Sequence, residues 1–189
     1  MNIFTDKQKK AIARALVEEA EFFIYDGVAY VGNQGDEEQA FGGWIKERTG
    51  KRGGVTENPQ EWREWLSDTC IELSDYKEDD YLVCTDEEAD EKAKEYIEDT
   101  LWAFNPWFLA EWSGVDHEVF EAIQSNERYE GNNDAILRLI GDNLGDLVHD
   151  AIATDGRGHF LSSYDGEEHE VNLSPYTGEN EYFYVYRLN

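Results

Sequence analysis

The sequence predicts an α+β protein. Five or six helices pack on a small antiparallel sheet, formed mainly by a C-terminal hairpin and the last strand. Three observations carry this reading. Apolar residues recur at helical spacing through most of the first 155 positions. Side chains that cap helices stand in front of those runs. Beyond them the pattern changes to an alternation of period two. A length of 189 residues suits one domain with a real core, spanning 1–189. The charge balance changes near Gly54, which allows an N-terminal subdomain, 1–54, ahead of an acidic main body, 55–189.

The elements follow in order. Thr5 and Gln8 form a capping box, so a helix starts there. Ile12, Ala15, Leu16, Ala20 and Phe23 continue it to about Tyr25, and Asp26-Gly27 ends it. Val28 to Val31 is a short strand. Asp36 to Arg48 reads as a helix weakened by Gly42-Gly43. Thr49 to Gly54 is a glycine-rich loop. Asn58-Pro59 opens the next helix, whose face carries Trp62, Trp65, Leu66, Thr69 and Leu73. Tyr81 to Cys84 is a strand. Thr85 and Glu88 make a second capping box, followed by Ala89, Ala93, Tyr96, Ile97, Leu101 and Phe104 on one side. Asn105-Pro106 interrupts the pattern before Trp107, Phe108, Leu109 and Trp112. Asp116 to Tyr129 is a helix. Asp134 to Ala153 reads as one long helix. Gly158 to Ser163 is a strand, Asp165-Gly166 a hairpin turn, and Glu167 to Leu173 the partner strand. Glu181 to Leu188 is a third strand.

Charge is the most informative bulk property. The chain has 43 acidic and 16 basic residues, for a net charge of −27. The imbalance is uneven: −2 over residues 1–60, −12 over 61–100 and −13 over 101–189. Such a surface repels phosphate and opposes the counterion release that drives nucleic-acid binding, so direct nucleic-acid binding is not expected. Six Trp, eleven Tyr and nine Phe set the chain apart from disordered acidic tails. No apolar run approaches the roughly 20 residues that span a bilayer. The start lacks the layout of a signal peptide. Cys70 and Cys84 read as reduced core thiols. Together these predict a soluble cytoplasmic protein with no membrane contact.

Catalytic patterns are missing. His159 and His169 fall on opposite faces of the expected hairpin, so no metal site is expected from them. His149 reads as a partly buried structural residue. Cys84 sits in an apolar strand, where burial makes a thiol inert. No nucleophile elbow and no EF-hand spacing occur. Paired carboxylates beside aromatic residues would suit a small hydrolase. With this many acids and Trp, that pattern selects nothing. No catalytic residue and no cofactor are therefore expected.

The helix after Thr85 carries the sharper expectation. Glu88, Glu91, Glu95 and Glu98 recur on the side opposite Ala93 and Ile97. The helical rise places one carboxylate about every 5 Å. Asp86, Glu87 and Asp99 extend the set. Such a row resembles a phosphate track, and several such helices side by side would approach the one charge per roughly 1.7 Å of duplex DNA. Lys46, Arg48, Lys51 and Arg52 are the only basic cluster and form a secondary contact loop. That loop suits an acidic partner, or the acidic face of a second copy in a homodimer. It is not a P-loop.

Three stretches, Tyr81 to Asp90, Asp155 to Glu167 and Tyr184 to Asn189, together resemble a group of small acidic proteins encoded by bacteriophages and prophages. The match covers roughly a third of the chain, mostly its second half. The resemblance implies a phage origin, a small accessory role and a bacterial host cytoplasm. It transfers no catalytic residues. Combined with the charge, it leads to the expectation of a counter-defence inhibitor. Such a protein would imitate DNA and occupy a basic groove of a host restriction enzyme, nuclease or CRISPR effector. The partner is then a basic host protein or ribonucleoprotein complex. Two alternatives are an immunity or antitoxin protein against a basic toxin, and a small hydrolase using paired carboxylates.

Overall fold

The computed structural model describes residues 4–20, 22–25, 28–32, 70–125 and 129–189. The expected helices over 36–48 and 58–69, and the basic loop with Lys46, Arg48, Lys51 and Arg52, lie outside these residues. The fold is α+β, with two small antiparallel sheets. The chain divides into two compact units. One comprises residues up to Cys84 together with His169–Val185, and the other Thr85–Glu168 together with Tyr186–Asn189.

In the first unit, helix α1 spans Asp6–Val17. The capping box is present: Gln8 N–H donates to Thr5 Oγ1 at 3.3 Å, and Thr5 N–H donates to Gln8 Oε1 at 3.0 Å. The helix stops eight residues earlier than the periodicity implies. Glu19 adopts φ +55°, Ala20 N–H reaches Ala15 O at 2.9 Å, and Glu19 N–H reaches Leu16 O at 3.4 Å. This is the bond pattern of a Schellman stop, with glutamate in the position that favours glycine. Strand β1, Phe23–Tyr25, then pairs with β2, Val28–Gly32, with Ile24 opposite Ala29. The aromatic and β-branched run Phe22-Phe23-Ile24-Tyr25 suits a ladder better than a helix. Strand β3, Cys70–Glu72, adds to the other edge of β2, with Val31 opposite Ile71. Leu73 therefore lies in a 3-10 turn and not on the face of a preceding helix.

The second sheet has the order β4-β6-β5. Strand β4 is Tyr81–Cys84, β5 is His169–Asn172 and β6 is Tyr182–Arg187. Within this unit Val171 faces Phe183 across the β5–β6 ladder. Phe4, Ile12, Val31, Leu73, Leu173, Phe183 and Val185 share one core with the alanines of α1. Each large side chain removed from water there contributes about 1.5–3 kcal/mol. Two cations enter this interior. Lys9 Nζ lies 2.6 Å from Glu181 Oε1, and Arg14 Nη2 donates to Leu73 O at 2.7 Å. Burial lowers the Arg14 pKa, against the opposing pull of Glu78 and Glu18.

The second unit is helical. Helix α2 spans Asp86–Thr100, behind the predicted capping box of Thr85 and Glu88. Ala89, Ala93 and Ile97 are buried along it, and Leu101 follows in a 3-10 turn. Helix α3, Pro106–Ser113, is capped by Asn105, whose side chain accepts from Trp107 N–H at 2.9 Å. Asp116 caps α4, His117–Gln124. The long helix expected over 134–153 is broken. Helix α5 covers Tyr129–Ile140, a 3-10 turn covers Gly141–Asn143, and α6 covers Leu144–Asp155. Gly141 sits at φ +55°, outside helical geometry. His149 is exposed on α6, not partly buried as its apolar neighbours suggest.

The expected strand over 158–163 is also corrected. Arg157–Leu161 forms a short helix, α7, and Phe160, Leu161 and Ser162 are buried in succession, without alternation. Strand β5 pairs with β6 instead, across the short helix α8, Ser174–Thr177. The proposed opposition of His159 and His169 across a hairpin therefore lapses. A cause lies at Gly158. A Cβ there would stand 2.5 Å from Gly166 O and 2.8 Å from Glu168 N. The two backbones approach so closely that only glycine fits.

Candidate partner-binding surface: an acidic helix face and an aromatic cleft

Helix α2 divides its carboxylates among three tasks. Glu88 serves the cap: its Oε2 accepts from Thr85 N–H at 3.0 Å, which satisfies a donor that the helix start leaves open. Asp86 and Asp90 face Arg157, with their Oδ1 atoms 2.7 Å and 2.9 Å from Nη1. Glu98 is half-buried, and its Oε1 lies 3.7 Å from Lys94 Nζ. Glu87, Glu91, Glu95 and Asp99 remain, all exposed. They follow one another at four-residue spacing, opposite the buried Ala89, Ala93 and Ile97. The helical rise puts one carboxylate about every 6 Å along this stripe. The predicted set Asp86, Glu87, Glu88, Glu91, Glu95, Glu98 and Asp99 therefore lies on one helix, with Asp86 and Glu88 engaged locally and Glu98 half-buried.

Arg157 organises the start of α2. Its Nε and Nη2 donate to the two oxygens of Glu168 at 2.7 and 3.0 Å, and Nη1 donates to Asp86 and Asp90. Tyr186 completes the set by donating its hydroxyl to Glu168 Oε2 at 2.6 Å. The Arg157 side chain is 11% exposed and Glu168 28%, while Asp86 and Asp90 stay exposed at 67% and 64%, so the cluster is dry on its Glu168 side and wet on the other. Burial alone would lower the Arg157 pKa. Hydrogen bonds to Glu168 and Asp86, with the charge of Glu168, outweigh burial and hold it above the ordinary arginine value. Sequence reasoning missed this cluster. A signal existed: Arg157 is one of only four basic residues after position 100, inside a strongly acidic segment. A cation in such surroundings gains most when several acids converge on it.

A cleft of about 580 Å³ opens in the same unit. Tyr96 and Thr100 come from α2, Trp102 and Phe104 from the segment after it, and Phe108 from α3. Asp150, Thr154 and Asp155 come from α6, and His159 and Phe160 from α7. Four rings form a continuous wall. Phe160 stacks on Phe104 at 6.3 Å, Phe104 on Phe108 at 6.0 Å, and Tyr96 lies 6.2 Å from Phe160. Tyr96 is 48% exposed and Trp102 37%, so the wall is open to a ligand. The periodicity placed Tyr96 and Phe104 in the core, so it concealed the cleft. Among the described residues, no helix is long and apolar enough to cross a membrane. Compared with family models, curated proteins and solved structures, the chain matches none of them.

Proposed function

We propose that the chain is a phage-encoded counter-defence inhibitor that binds a basic nucleic-acid groove of a host restriction enzyme, nuclease or CRISPR effector. The observation that carries this reading is the stripe of Glu87, Glu91, Glu95 and Asp99 on α2. These four carboxylates are exposed, evenly spaced and clear of the Arg157 cluster. They stand in a segment of net charge −12 over residues 61–100. A groove built to neutralise phosphates meets a line of like-signed charge there, sparser than the one charge per roughly 1.7 Å of duplex DNA, and electrostatic complementarity of this kind speeds encounter.

The test is a four-fold substitution, Glu87, Glu91, Glu95 and Asp99 to Lys. All four lie off the apolar face, so the far-ultraviolet spectrum should stay unchanged. Inhibition of DNA cleavage should be lost for whichever nuclease the native chain blocks. Association should slow by about tenfold or more, the scale of electrostatic steering. Retained inhibition by the folded variant would reject the reading. Glu88 is left intact because its substitution would damage the cap.

A further inference from the structure

We propose that the aromatic cleft between α2, α3, α6 and α7 is a receptor for an arginine side chain on a basic peptide segment of the partner. This rests on the reading of a basic partner given above, and it adds a second contact of different chemistry. Three sources of negative potential meet in the cleft. Asp150 and Asp155 contribute carboxylates from α6. Asp155 is also the last residue of α6, where the helix dipole is negative and favours cations. The exposed rings of Tyr96 and Trp102 offer π faces, which attract a cation lying over them, above the stacked Phe160, Phe104 and Phe108. Among the described residues, no lysine or arginine lines the cleft.

Arginine fits this combination better than other groups. Its guanidinium is flat, so it stacks on a ring while its edge meets a carboxylate. It is also more weakly hydrated than a lysine ammonium, which lowers the cost of entering an apolar space. Phosphate-bearing ligands are repelled by Asp150 and Asp155. The volume lies within the range of about 300–1,000 Å³ typical of ligand pockets. It therefore accommodates the neighbours of the arginine as well as its side chain. Thr154 lines the cleft with a hydroxyl, and the Thr100 hydroxyl, which donates to Tyr96 O at 2.6 Å, keeps its lone pairs to accept from a peptide N–H.

The experiment uses the full chain and an acetylated, amidated Gly-Arg-Gly peptide, with the citrulline peptide as a neutral isostere. Binding is followed by amide and indole chemical shifts. Saturable shifts at Thr100, Trp102 and Asp155 with the arginine peptide, absent with citrulline, are expected. The double variant Asp150→Asn, Asp155→Asn keeps shape and removes charge, and should weaken the peptide by about tenfold, the scale of a charge-assisted hydrogen bond. Converting Glu87, nine residues and so about 14 Å along α2 from Tyr96, to Gln should leave peptide affinity within about twofold, because exposed charges beyond a Debye length are screened. Equal binding of citrulline would overturn the proposal and leave a cleft for neutral ligands, an oligosaccharide among them. No saturable shift at millimolar peptide, or shifts confined to the outer face of α2, would overturn it too. The two readings fail separately. Peptide binding in the cleft with no loss of nuclease inhibition in the α2 lysine variant would retain the cleft and reject the acidic stripe. Loss of inhibition in that variant without peptide binding would do the reverse.

Discussion

Arg157 holds Asp86, Asp90 and Glu168 with one guanidinium, and Glu168 in turn accepts from the Tyr186 hydroxyl. Removing the cation leaves Glu168 short of its two parallel hydrogen bonds, while the exposed Asp86 and Asp90 return to water. Arg157→Met should therefore destabilise the second unit by roughly 1–2 kcal/mol, the scale of losing charge-assisted hydrogen bonds to one half-buried carboxylate. Arg157→Lys should recover only part of this. A lysine keeps the charge but cannot make the two parallel bonds to Glu168. Urea denaturation of both variants measures the difference, and equal stability of native, Lys and Met forms would contradict this role for the cluster. The pKa direction agrees with the geometry, since the charged form is favoured in the folded state. A raised folded pKa gives stability that is present below the unfolded value and lost as pH rises through the folded one. For arginine that loss lies in strong alkali, so the cluster keeps its charge on Arg157 through neutral pH.

At the scale of elements, the end of α1 is the clearest engineering target. Glu19 sits at φ +55°, a region that costs a residue with a side chain roughly 1–2 kcal/mol. Glu19→Gly should stabilise the first unit by about 1 kcal/mol, offset in part by the added freedom of the unfolded chain. Thermal melting checks this, and a lower midpoint would count against the Schellman geometry. The same elements show what the sequence made legible. Caps were readable because they are local: Thr5 with Gln8 and Thr85 with Glu88 act within three residues of themselves, whereas Asn105, read as an interruption, and Asp116, read as the first helical residue, turn out to be caps of the same short reach. Strands β2 and β4 were readable for the same reason. The errors fall where a distant partner decides. Phe23–Tyr25 continues a helical period but pairs with β2. Gly158 to Ser163 alternates in polarity, yet the close approach of Gly158 to Gly166 and Glu168 goes with a helical turn. The acidic helix was found, but its division among cap, Arg157 and solvent depends on Arg157, which lies 67 to 71 residues away from Asp90 and Asp86 along the chain. The cleft draws on several elements, so no local window contains it.

For the whole molecule, a net charge of −27 makes ionic strength the main experimental variable. Raising salt from 0.1 M to 1 M shortens the Debye length from about 10 Å to about 3 Å. Association with a basic partner should slow by about an order of magnitude or more over that range, as steering is screened. Dissociation should change less, because stacking on Tyr96, Phe104 and Trp102 does not weaken with salt. Surface-coupled kinetics at several salt concentrations separates the two rates. A flat association rate would mean that the charge serves solubility and that recognition is apolar.

The division of the chain into units has a consequence for how the protein is made. Each unit borrows a piece from the end of the sequence: His169–Val185 for the first, Tyr186–Asn189 for the second. In the second unit the borrowed piece is firmly held. Tyr186 is fully buried, Arg187 O accepts from Tyr164 N–H at 3.2 Å and from Ser162 Oγ at 3.0 Å, and Leu188 O accepts from Ser163 Oγ at 2.8 Å. Synthesis proceeds from the N-terminus, so the first unit cannot close before residues 169–185 have been made, nor the second before 186–189. Removing residues 186–189 should accordingly leave the helices of the second unit formed but sensitive to brief proteolysis, while the full chain resists. Equal resistance of both would show that the late residues decorate a unit that has already closed.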